Sequence, residues 1–243
     1  MSSPDLTEGT LLGGRLRHAQ PRHGHRTGLE PVLLAASIPA RPGQRVLEAG
    51  TGSGAALLCL AARIPGLQGL GLERDPAMAD IARANIAANA LPGLAVETAD
   101  LTAWAPDAAY DHAFANPPWH DPAATPSPDA GKDAARRAAP HLIETWARSL
   151  ARALRPRGTL SLILGADHLA AGLAALAAAG CGSPVLHPFW PKPGRPARLV
   201  LLRAIRGGRG PARLLPGLTL HRADGSFTAE AESILRDGAG LPQ

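Results

Sequence analysis

Residues 45–54, RVLEAGTGSG, decide the fold of this chain. The first five form a short apolar run typical of a buried strand, and glycines follow it at Gly50, Gly52 and Gly54. Without a Cβ, glycine lets the chain turn tightly and lets a ligand approach main-chain atoms. The helix predicted at 55–64 offers unpaired N–H groups at its start. The GxGxG spacing differs from the GxGxxG dinucleotide fingerprint, which argues against NAD.

Short apolar runs alternate with helical segments along the rest of the chain, from about residue 30. The further predicted strands are 69–73, 94–98, 110–115, 159–164 and 197–204. The further predicted helices are 31–37, 76–90, 140–154 and 169–179. This order is typical of an α/β fold with a parallel sheet and helices on both faces. Ligands of such sheets bind beyond the carboxyl ends of the strands.

Two carboxylates follow the next two strands after the glycines. Glu73 closes the second strand, where an acidic side chain can accept hydrogen bonds from both ribose hydroxyls. Asp100 follows the third strand, in position to receive an adenine amino group. Each carboxylate alone is more often a helix cap or a surface residue. Together, at the ends of successive strands, they indicate an adenosine site.

The sequence Asn116-Pro117-Pro118-Trp119 ends the fourth strand and is the most specific motif in the chain. The prolines fix their own φ and restrict the residue before them, so the carbonyls are held rigidly. An Asn oxygen and a proline carbonyl can accept both hydrogens of one planar NH₂ group, and Trp119 supplies a flat face for its ring. The alternative is a rigid turn with Trp119 in the core. Residues 120–131 are predicted to be a loop.

Four motifs together resemble the class I S-adenosylmethionine-dependent methyltransferases that modify exocyclic amino or amide nitrogens. They are EAGTGSG at 48–54, GLE at 71–73, AD at 99–100 and NPPW at 116–119. Three further stretches resemble the bacterial valine-tRNA adenine-N6 methyltransferases, namely 20–35, 197–204 and 220–228. The resemblance implies a Rossmann-like class I methyltransferase fold, with a mainly parallel seven-stranded sheet, a late antiparallel strand and helices on both faces.

The resemblance also implies a role for each motif residue, with S-adenosylmethionine as the cofactor and no metal. It places Glu48, Gly50, Gly52 and Gly54 at the methionine part, Glu73 at the ribose, Asp100 at the adenine, Asn116 and Pro117 at the target amine, Trp119 on the target base, and Arg26 and Glu30 at the wall near the methionine end. Two positions depart from the family pattern. Trp119 stands where Tyr or Phe is more common, and Glu30 where Asp is more common.

The activity implied is in-line transfer of a methyl group to the exocyclic N6 amine of an adenine in tRNA. The main alternative is a protein-glutamine N5 methyltransferase, because a glutamine amide presents the same NH₂ geometry. DNA adenine methylation is a third reading, although no separate target-recognition domain is evident. A nucleotide- or RNA-binding module without catalysis is the alternative from another class, and the intact motif at 116–119 argues against it.

Charge is unevenly placed along the chain, although the formal net charge is only +5. Residues 9–29 and 168–223 contain no acid. Such basic blocks fit a polyanionic partner such as tRNA, and the alternative is a solvated basic surface. Arg206, Arg209 and Arg213 are predicted to touch phosphate if the two blocks flank one groove. We therefore divide the chain into a basic segment, 1–29, that contributes to the cofactor and substrate site, and a methyltransferase domain, 30–243.

The remaining composition indicates a cytoplasmic protein. Cys59 and Cys181 form no CxxC pair and lie in apolar surroundings, which predicts reduced core residues and no zinc site. The longest apolar stretch, 169–181, is too short for the roughly 20 residues that cross a bilayer, and no export signal follows Met1. His18, His23 and His25 have no carboxylate or Cys beside them, so a metal site is not predicted. The oligomeric state is left open.

Overall fold

The computed structural model describes residues 5–23, 27–106, 109–117 and 131–242, with the backbone alone for 131–140. Within this part of the chain the strands are β1 Leu6–Leu11, β2 Leu16–Pro21, β3 Arg45–Ala49, β4 Gln68–Glu73, β5 Leu94–Thr98, β6 Tyr110–Ala115, β7 Leu154–Gly165, β8 Cys181–Trp190, β9 Leu199–Arg206, β10 Arg213–Leu214 and β11 Leu218–Thr219. The helices are α1 Glu30–Ser37, α2 Ala55–Arg63, α3 Pro76–Ala88, α4 Gly131–Ala153, α5 Leu169–Ala178 and α6 Ala229–Asp237.

The described residues form one nine-stranded sheet, in which β10, β8, β9, β7, β6, β3, β4 and β5 are neighbours in that order and β11 also pairs with β8. Strands β3 to β7 are parallel, and β9 is antiparallel to both β7 and β8. The predicted mainly parallel sheet with a late antiparallel strand is confirmed. The predicted count of seven matches the long strands, and the two-residue strands β10 and β11 are additional because they pair only with the outer side of β8.

Apolar side chains cover both faces of the sheet, as the α/β pattern predicts. One buried cluster joins the sheet to α1, α2 and α6, and includes Leu33, Leu57 and Ile234. The other joins the opposite face to α4 and α5, and includes Ile143 and Leu176. Burial of such side chains stabilises each by about 1.5–3 kcal/mol, so helices on both faces hold the strand ends in fixed positions.

The hairpin of β1 and β2 was not predicted, and it packs against α3. Two amide side chains of α3, one helical turn apart, form hydrogen bonds with the backbone of β2. Asn85 binds the N–H and carbonyl of Ala19, both at 2.8 Å. Asn89 binds the N–H and carbonyl of Arg17 at 2.9 and 2.7 Å. The two amides of α3 thus act as the next strand of the hairpin.

Several predicted boundaries differ from the structure. Strands β3, β5 and β6 have the predicted ends, whereas α4 begins at Gly131 and contains Pro140 instead of starting there. The residues before Pro140, KDAARRAA, are strong helix formers and extend the helix toward the N-terminus. β7 begins at Leu154, because Leu154 pairs with Tyr110 and Arg155 forms an ion pair of 2.8 Å with Asp111.

The edge strand β5 is partly covered by a side chain of α3. The Arg83 guanidinium donates to the Val96 carbonyl at 3.1 Å and to the Thr98 hydroxyl at 2.8 Å. An ion pair of 2.7 Å with Asp80 holds the same guanidinium. Both cysteines, Cys59 and Cys181, are free and buried. In the described part of the chain, no helix has both the length and the apolar character that a membrane crossing requires.

Candidate active site

Three of the predicted site residues that the structure describes lie in one row at the carboxyl edge of the parallel strands. Ala49 at the end of β3 pairs with Ala115 of β6 on one side and with Leu72 of β4 on the other. The next residues of these three strands are Gly50, Asn116 and Glu73, so they follow one row of the sheet. Neighbouring strands lie about 4.8 Å apart. The structure therefore brings the glycine-rich turn between the predicted ribose-binding and amine-binding residues.

The three glycines of the turn all have positive φ, at 64° for Gly50, 55° for Gly52 and 87° for Gly54. A Cβ on Gly50 would lie 2.7 Å from Cη2 of Trp146, so the indole of α4 rests against this glycine. A Cβ on Gly52 would meet only Met78 Cε, at 4.0 Å. The space beside Gly52 is thus open to a ligand, whereas the indole of Trp146 fills the space beside Gly50.

Glu73 links the glycine-rich turn to the start of α3. Its Oε2 accepts a hydrogen bond from Gly52 N at 2.8 Å, and its Oε1 accepts one from Asp75 N at 2.9 Å. A carboxylate offers about four lone-pair sites. Two backbone donors therefore leave acceptor capacity for the two hydroxyls of a ribose, and the assignment of Glu73 to that role stays a prediction.

Glu48 lies beneath the turn, where its side chain is buried. The Thr51 hydroxyl donates to Glu48 Oε2 at 2.6 Å, and Thr51 itself packs against the bare backbone of Gly71. Burial raises the pKa of Glu48 to about 8. The hydrogen bonds to its carboxylate lower the pKa, but their effect is smaller than that of burial. The structure thus places Glu48 as a support of the turn, and its predicted contact with the methionine part of a cofactor stays a prediction.

Asp100 borders a cavity of about 540 Å³ at the same edge of the sheet. The cavity is lined by Glu97, Ala99, Asp100, Ala103, Trp104 and Ala105. Asp100 Oδ1 accepts from the N–H and the hydroxyl of Thr102 at 2.8 and 2.7 Å, and these bonds hold the pKa of Asp100 below its usual range. Trp104 was not predicted to belong to the site. Its signal was its rarity, since the chain has only eight aromatic residues.

The motif that follows β6 is described only in its first half. Asn116 is half-buried and Pro117 is buried, directly after the strand. Pro118 and Trp119 lie outside the described residues, as does most of the loop predicted at 120–131. The predicted pair of acceptors and the stacking role of Trp119 stay predictions.

The N-terminal part of the site is also described in part. Glu30 is the first residue of α1, and its carboxylate fills the space that a side chain on Gly28 would need. Thr27 N donates to Gln20 Oε1 at 2.8 Å, which ties this segment to β2. Arg26 lies outside the described residues, so its predicted role with Glu30 stays a prediction.

Two buried polar residues that sequence reasoning missed connect the hairpin to the glycine-rich turn. His18 Nε2 lies 2.8 Å from Ser53 Oγ, and Asn85 Nδ2 donates to Ser53 O at 2.9 Å. Burial lowers the pKa of His18, which favours its neutral form. An Asn in the interior of a predicted helix is an available signal, because Asn disfavours that position unless its side chain has a specific partner.

The structure does not bring Arg206, Arg209 and Arg213 to this site. Arg206 pairs with Cys181 at the start of β8, which is the edge of the sheet opposite to Asn116. Its guanidinium is half-buried and donates to the Leu154 carbonyl. Arg209 follows β9 at that opposite edge, and Arg213 lies along the outer side of β8.

Residues 30–166, more than half of the chain, match the sequence family described as the methyltransferase small domain. The chain belongs to this family. A tRNA1(Val) (adenine(37)-N6)-methyltransferase of Porphyromonas gingivalis is 31% identical over 154 residues, which are 59% of this chain and 60% of that protein. One from Salmonella enteritidis is 33% identical over 108 residues, 43% of this chain and 44% of the relative. The predicted family resemblance is confirmed.

Solved structures of methyltransferases share the fold of this chain. A predicted O-methyltransferase from Agrobacterium tumefaciens has a TM-score of 0.72 and 27% identity, over 88% of this chain and 99% of that one. The Thermus thermophilus 16S rRNA N2 G1207 methyltransferase, solved with AdoMet and guanosine, has a TM-score of 0.58 and 20% identity, over 85% of this chain and 51% of that one. The Rossmann-like methyltransferase fold is confirmed.

The family and the fold support S-adenosylmethionine as the cofactor and methyl transfer as the reaction class. The chain spans between 44% and 60% of the length of the two tRNA methyltransferases named above. A trans-aconitate 2-methyltransferase of Methylobacterium radiotolerans also matches, at 36% identity over 83 residues, 34% of this chain and 30% of that protein. Among the described residues, no group of His, Cys, Asp and Glu side chains is arranged to hold a metal ion.

Proposed function

We propose that this chain transfers a methyl group from S-adenosylmethionine to the exocyclic N6 amine of an adenine in tRNA. The observation that carries the proposal is the position of Asn116 and Pro117 directly beside the open glycine-rich turn. Glu73 and Asp100 continue the same edge on the next two strands. We therefore assign the acceptor of the amine and the nucleoside-binding surface to one cleft along this edge of the sheet.

The residues of this cleft fit the cofactor. Gly52 leaves open space beside the turn, Glu73 offers acceptors for ribose hydroxyls, and Asp100 borders a cavity large enough for an adenine. Bound there, S-adenosylmethionine supplies a methyl group activated by the positive sulfur. Glu48, Gly50 and Gly54 shape the turn, and we assign Arg26 and Glu30 to the wall at the methionine end.

Asn116 and Pro117 orient the amine that receives the methyl group. An adenine amine is a weak nucleophile because its lone pair is delocalised into the ring. The Asn116 side-chain oxygen and the Pro117 carbonyl accept its two hydrogens, which favours a pyramidal nitrogen and aims the lone pair into the cleft. These acceptors bind more strongly as positive charge develops on nitrogen. We assign Trp119 to stacking on the base, which has to leave its own stack to enter.

We further propose that the N-terminal segment, 1–29, belongs functionally to the site of the methyltransferase domain, 30–243. The hairpin contacts Ser53 of the glycine-rich turn through His18 and Asn85. The chain then runs through Arg26 to Glu30, at the start of α1. We therefore assign two tasks to this segment. It holds the glycine-rich turn through Ser53, and it forms the wall at the methionine end of the cofactor site.

Other methyl acceptors have to be compared with adenine. A glutamine amide carries the same NH₂ group, and the names of two similar proteins refer to an O-methyltransferase and to trans-aconitate. An Asn oxygen and a carbonyl are both acceptors, so they suit an N–H₂ group, which has two hydrogens to donate, better than a carboxylate, which has none. The acid-free stretches of the sequence favour RNA over protein.

The test is to incubate the enzyme and methyl-labelled S-adenosylmethionine in parallel with unmodified bacterial tRNA, DNA, bulk protein and a small-molecule extract. The expected product is N6-methyladenosine in digested tRNA. The Asn116→Ala variant is the control for label that arises without the acceptor pair. Label in N5-methylglutamine, in DNA or in a base-labile methyl ester, with none in tRNA, would contradict the proposal.

A further inference from the structure

The loop between β8 and β9 and the turn that follows β11 form a second surface at the carboxyl edge of the sheet. β9 runs antiparallel to β7, and Leu199 pairs with Gly165 at the end of β7. Residues 191–198 therefore lie at the edge of Asn116. We name this loop, together with the turn of residues 221–227, the basic rim.

The basic rim extends beyond the end of β6, in the direction in which the parallel strands run. Ala115 of β6 pairs with Leu162 of β7, and β7 continues for three more residues to Gly165. Three residues of strand extend about 10 Å. The basic rim is thus a wall at the side of the cleft, two to three strands away from Asn116.

Hydrogen bonds fix the two parts of the basic rim to each other. The backbone N–H of His221 donates to the Pro191 carbonyl at 3.2 Å, and His221 Nδ1 lies 3.1 Å from the same oxygen. Lys192 Nζ donates to the Ala223 carbonyl at 3.3 Å. The His221 ring stacks on Phe227 with 4.6 Å between ring centroids. The rim therefore carries its side chains on a defined frame.

The basic rim contains four cations, namely Lys192, Arg195, Arg198 and Arg222. The three arginines are exposed and the lysine is half-buried. Among the described residues, none of the four forms an ion pair, whereas Arg22, Arg83, Arg148, Arg155 and Arg236 each do.

Only a few carboxylates lie near these cations in the described chain. The sequence has no acid between Asp167 and Asp224. Asp224 Oδ1 accepts from the N–H and hydroxyl of Ser226 at 2.9 and 2.7 Å, and Asp167 binds His168 at 2.9 Å. Asp224 also lies close enough to Arg222 and Lys192 for their charges to lower its pKa. Arg195 and Arg198 are therefore the cations of the rim that remain available to an external anion.

We propose that the basic rim binds phosphates of the RNA strand next to the target adenine; this inference rests on the proposed function. A base that leaves its stack to reach Asn116 brings its flanking phosphates to the walls of the cleft. Exposed arginines such as Arg195 and Arg198 match phosphate with paired N–H donors. Arg209 and Arg213, equally exposed, lie away from the cleft and serve as an internal comparison.

The experiment compares two variants of equal net charge, Arg195→Gln/Arg198→Gln and Arg209→Gln/Arg213→Gln. Binding of an unmodified tRNA transcript is measured by fluorescence anisotropy over a range of KCl concentrations, without cofactor. Each lost phosphate contact reduces the slope of log affinity against log salt by about 0.7–0.9. The rim variant is expected to lose about 1.4–1.8 of slope and at least tenfold in affinity near 0.1 M salt. The comparison variant is expected to stay within about twofold.

S-adenosylmethionine affinity, measured by calorimetry, is expected to stay unchanged in both variants, which shows that the cleft is intact. Equal losses in the two variants would overturn the rim as a specific surface, and so would a rim variant with wild-type slope. If the wild type methylates tRNA under these conditions, such a result contradicts only the proposal that the basic rim binds phosphate. If the wild type neither binds nor methylates tRNA, and labels an acidic protein instead, the result contradicts both the role of the basic rim and the proposed function.

Discussion

At the scale of single residues, two acidic or amide side chains in one row of the sheet have different tasks. Glu73 contacts the turn that would hold a cofactor, whereas Asn116 follows β6, on the other side of β3, and we assign it to the substrate. This division predicts that binding and chemistry can be separated by substitution.

Asn116→Ala is expected to reduce turnover by about 10²-fold or more, because it removes one preorganised acceptor from the target amine. Its affinity for S-adenosylmethionine should stay within a few fold. Glu73→Ala is the matched comparison and should weaken cofactor binding by about tenfold, as the loss of roughly 1.4 kcal/mol implies. Calorimetry and single-turnover assays measure the two effects. Normal turnover in Asn116→Ala would make the paired-acceptor mechanism untenable.

Glu48 predicts a pH-dependent stability. Its pKa is raised by burial to about 8 in the folded protein, so between the unfolded pKa near 4.5 and pH 8 the folded state holds a proton that the unfolded state has lost. This contribution to stability is present below pH 4.5 and is lost as pH rises toward 8. Glu48→Gln stays neutral and should be more stable than the wild type at pH 9 by at least about 1 kcal/mol.

Urea unfolding of both proteins at pH 5 and pH 9 measures this difference. Glu8→Gln, which changes an exposed carboxylate, is the control and should track the wild type. If Glu48→Gln and the wild type lose stability in parallel between the two pH values, Glu48 does not carry its proton in the folded protein.

At the scale of elements, the N-terminal hairpin is held by two asparagines of α3 that differ in their contact with the glycine-rich turn. Asn85 and Asn89 each bind one residue of β2 through both backbone groups, but Asn85 also donates to Ser53 O in the glycine-rich turn. The hairpin thus shares a hydrogen-bonding side chain with the turn. The hairpin also reaches Ser53 through His18. Of the two asparagines, we expect Asn85 to have the larger effect on cofactor binding, because it contacts the turn directly.

Asn85→Ala is therefore expected to lower the stability by about 2 kcal/mol and to weaken S-adenosylmethionine binding by about tenfold, because it leaves buried partners unpaired. Asn89→Ala should lower the stability by about 1 kcal/mol and leave cofactor affinity within threefold. Thermal unfolding and calorimetry report the two quantities. Equal weakening of cofactor binding in both variants would show that Ser53 has no special dependence on Asn85.

The elements also show how far the sequence predicts this fold. The predicted first and last residues of β3, β5 and β6 agree with the structure. Each strand is a short run with a clear stop signal after it, namely Gly50 for β3, Asp100 for β5 and Asn116-Pro117 for β6. The strand β8 was missed because it contains Pro184 and Pro188, which a central strand normally excludes. It accommodates Pro184 with an irregularity between Gly182 and Val185.

The hairpin and the last helix were missed for different reasons. β1 and β2 are half-exposed and lack an alternating apolar pattern, and their hydrogen bonds depend on amides of α3 that are distant in sequence. α6 had local signals, with Thr228 as its N-cap and Gly238 after its last turn. The strand-end residues of the site were predictable from local motifs, whereas His18, Asn85 and Trp146 belong to it only through tertiary contacts.

At the scale of the whole molecule, positive charge is present at both edges of the sheet, with different consequences. The basic rim lies at the edge of the cleft, whereas Arg206 lies at the opposite edge and binds backbone carbonyls at the junction of α4 and β7. A count of basic residues along the sequence does not separate these two uses. The antiparallel path of β8 and β9 does.

Arg206→Gln is accordingly expected to lower the stability by about 1–2 kcal/mol, because it removes a charged donor from the half-buried carbonyl of Leu154. The salt dependence of tRNA binding should match that of the wild type. Urea unfolding and anisotropy titrations measure the two properties. A reduced salt slope with unchanged stability would place Arg206 on the RNA and contradict this assignment.

The guanidinium of Arg83 across the edge strand β5 bears on how copies of this protein behave at high concentration. An uncovered strand edge is a template on which another chain can add a strand and begin aggregation. Here the Val96 carbonyl is already occupied by Arg83, and the charge on that side chain is itself held by Asp80. A second molecule would have to displace a charged group from its hydrogen bonds before it could pair with this part of β5, so we expect Arg83 to hinder edge-to-edge association.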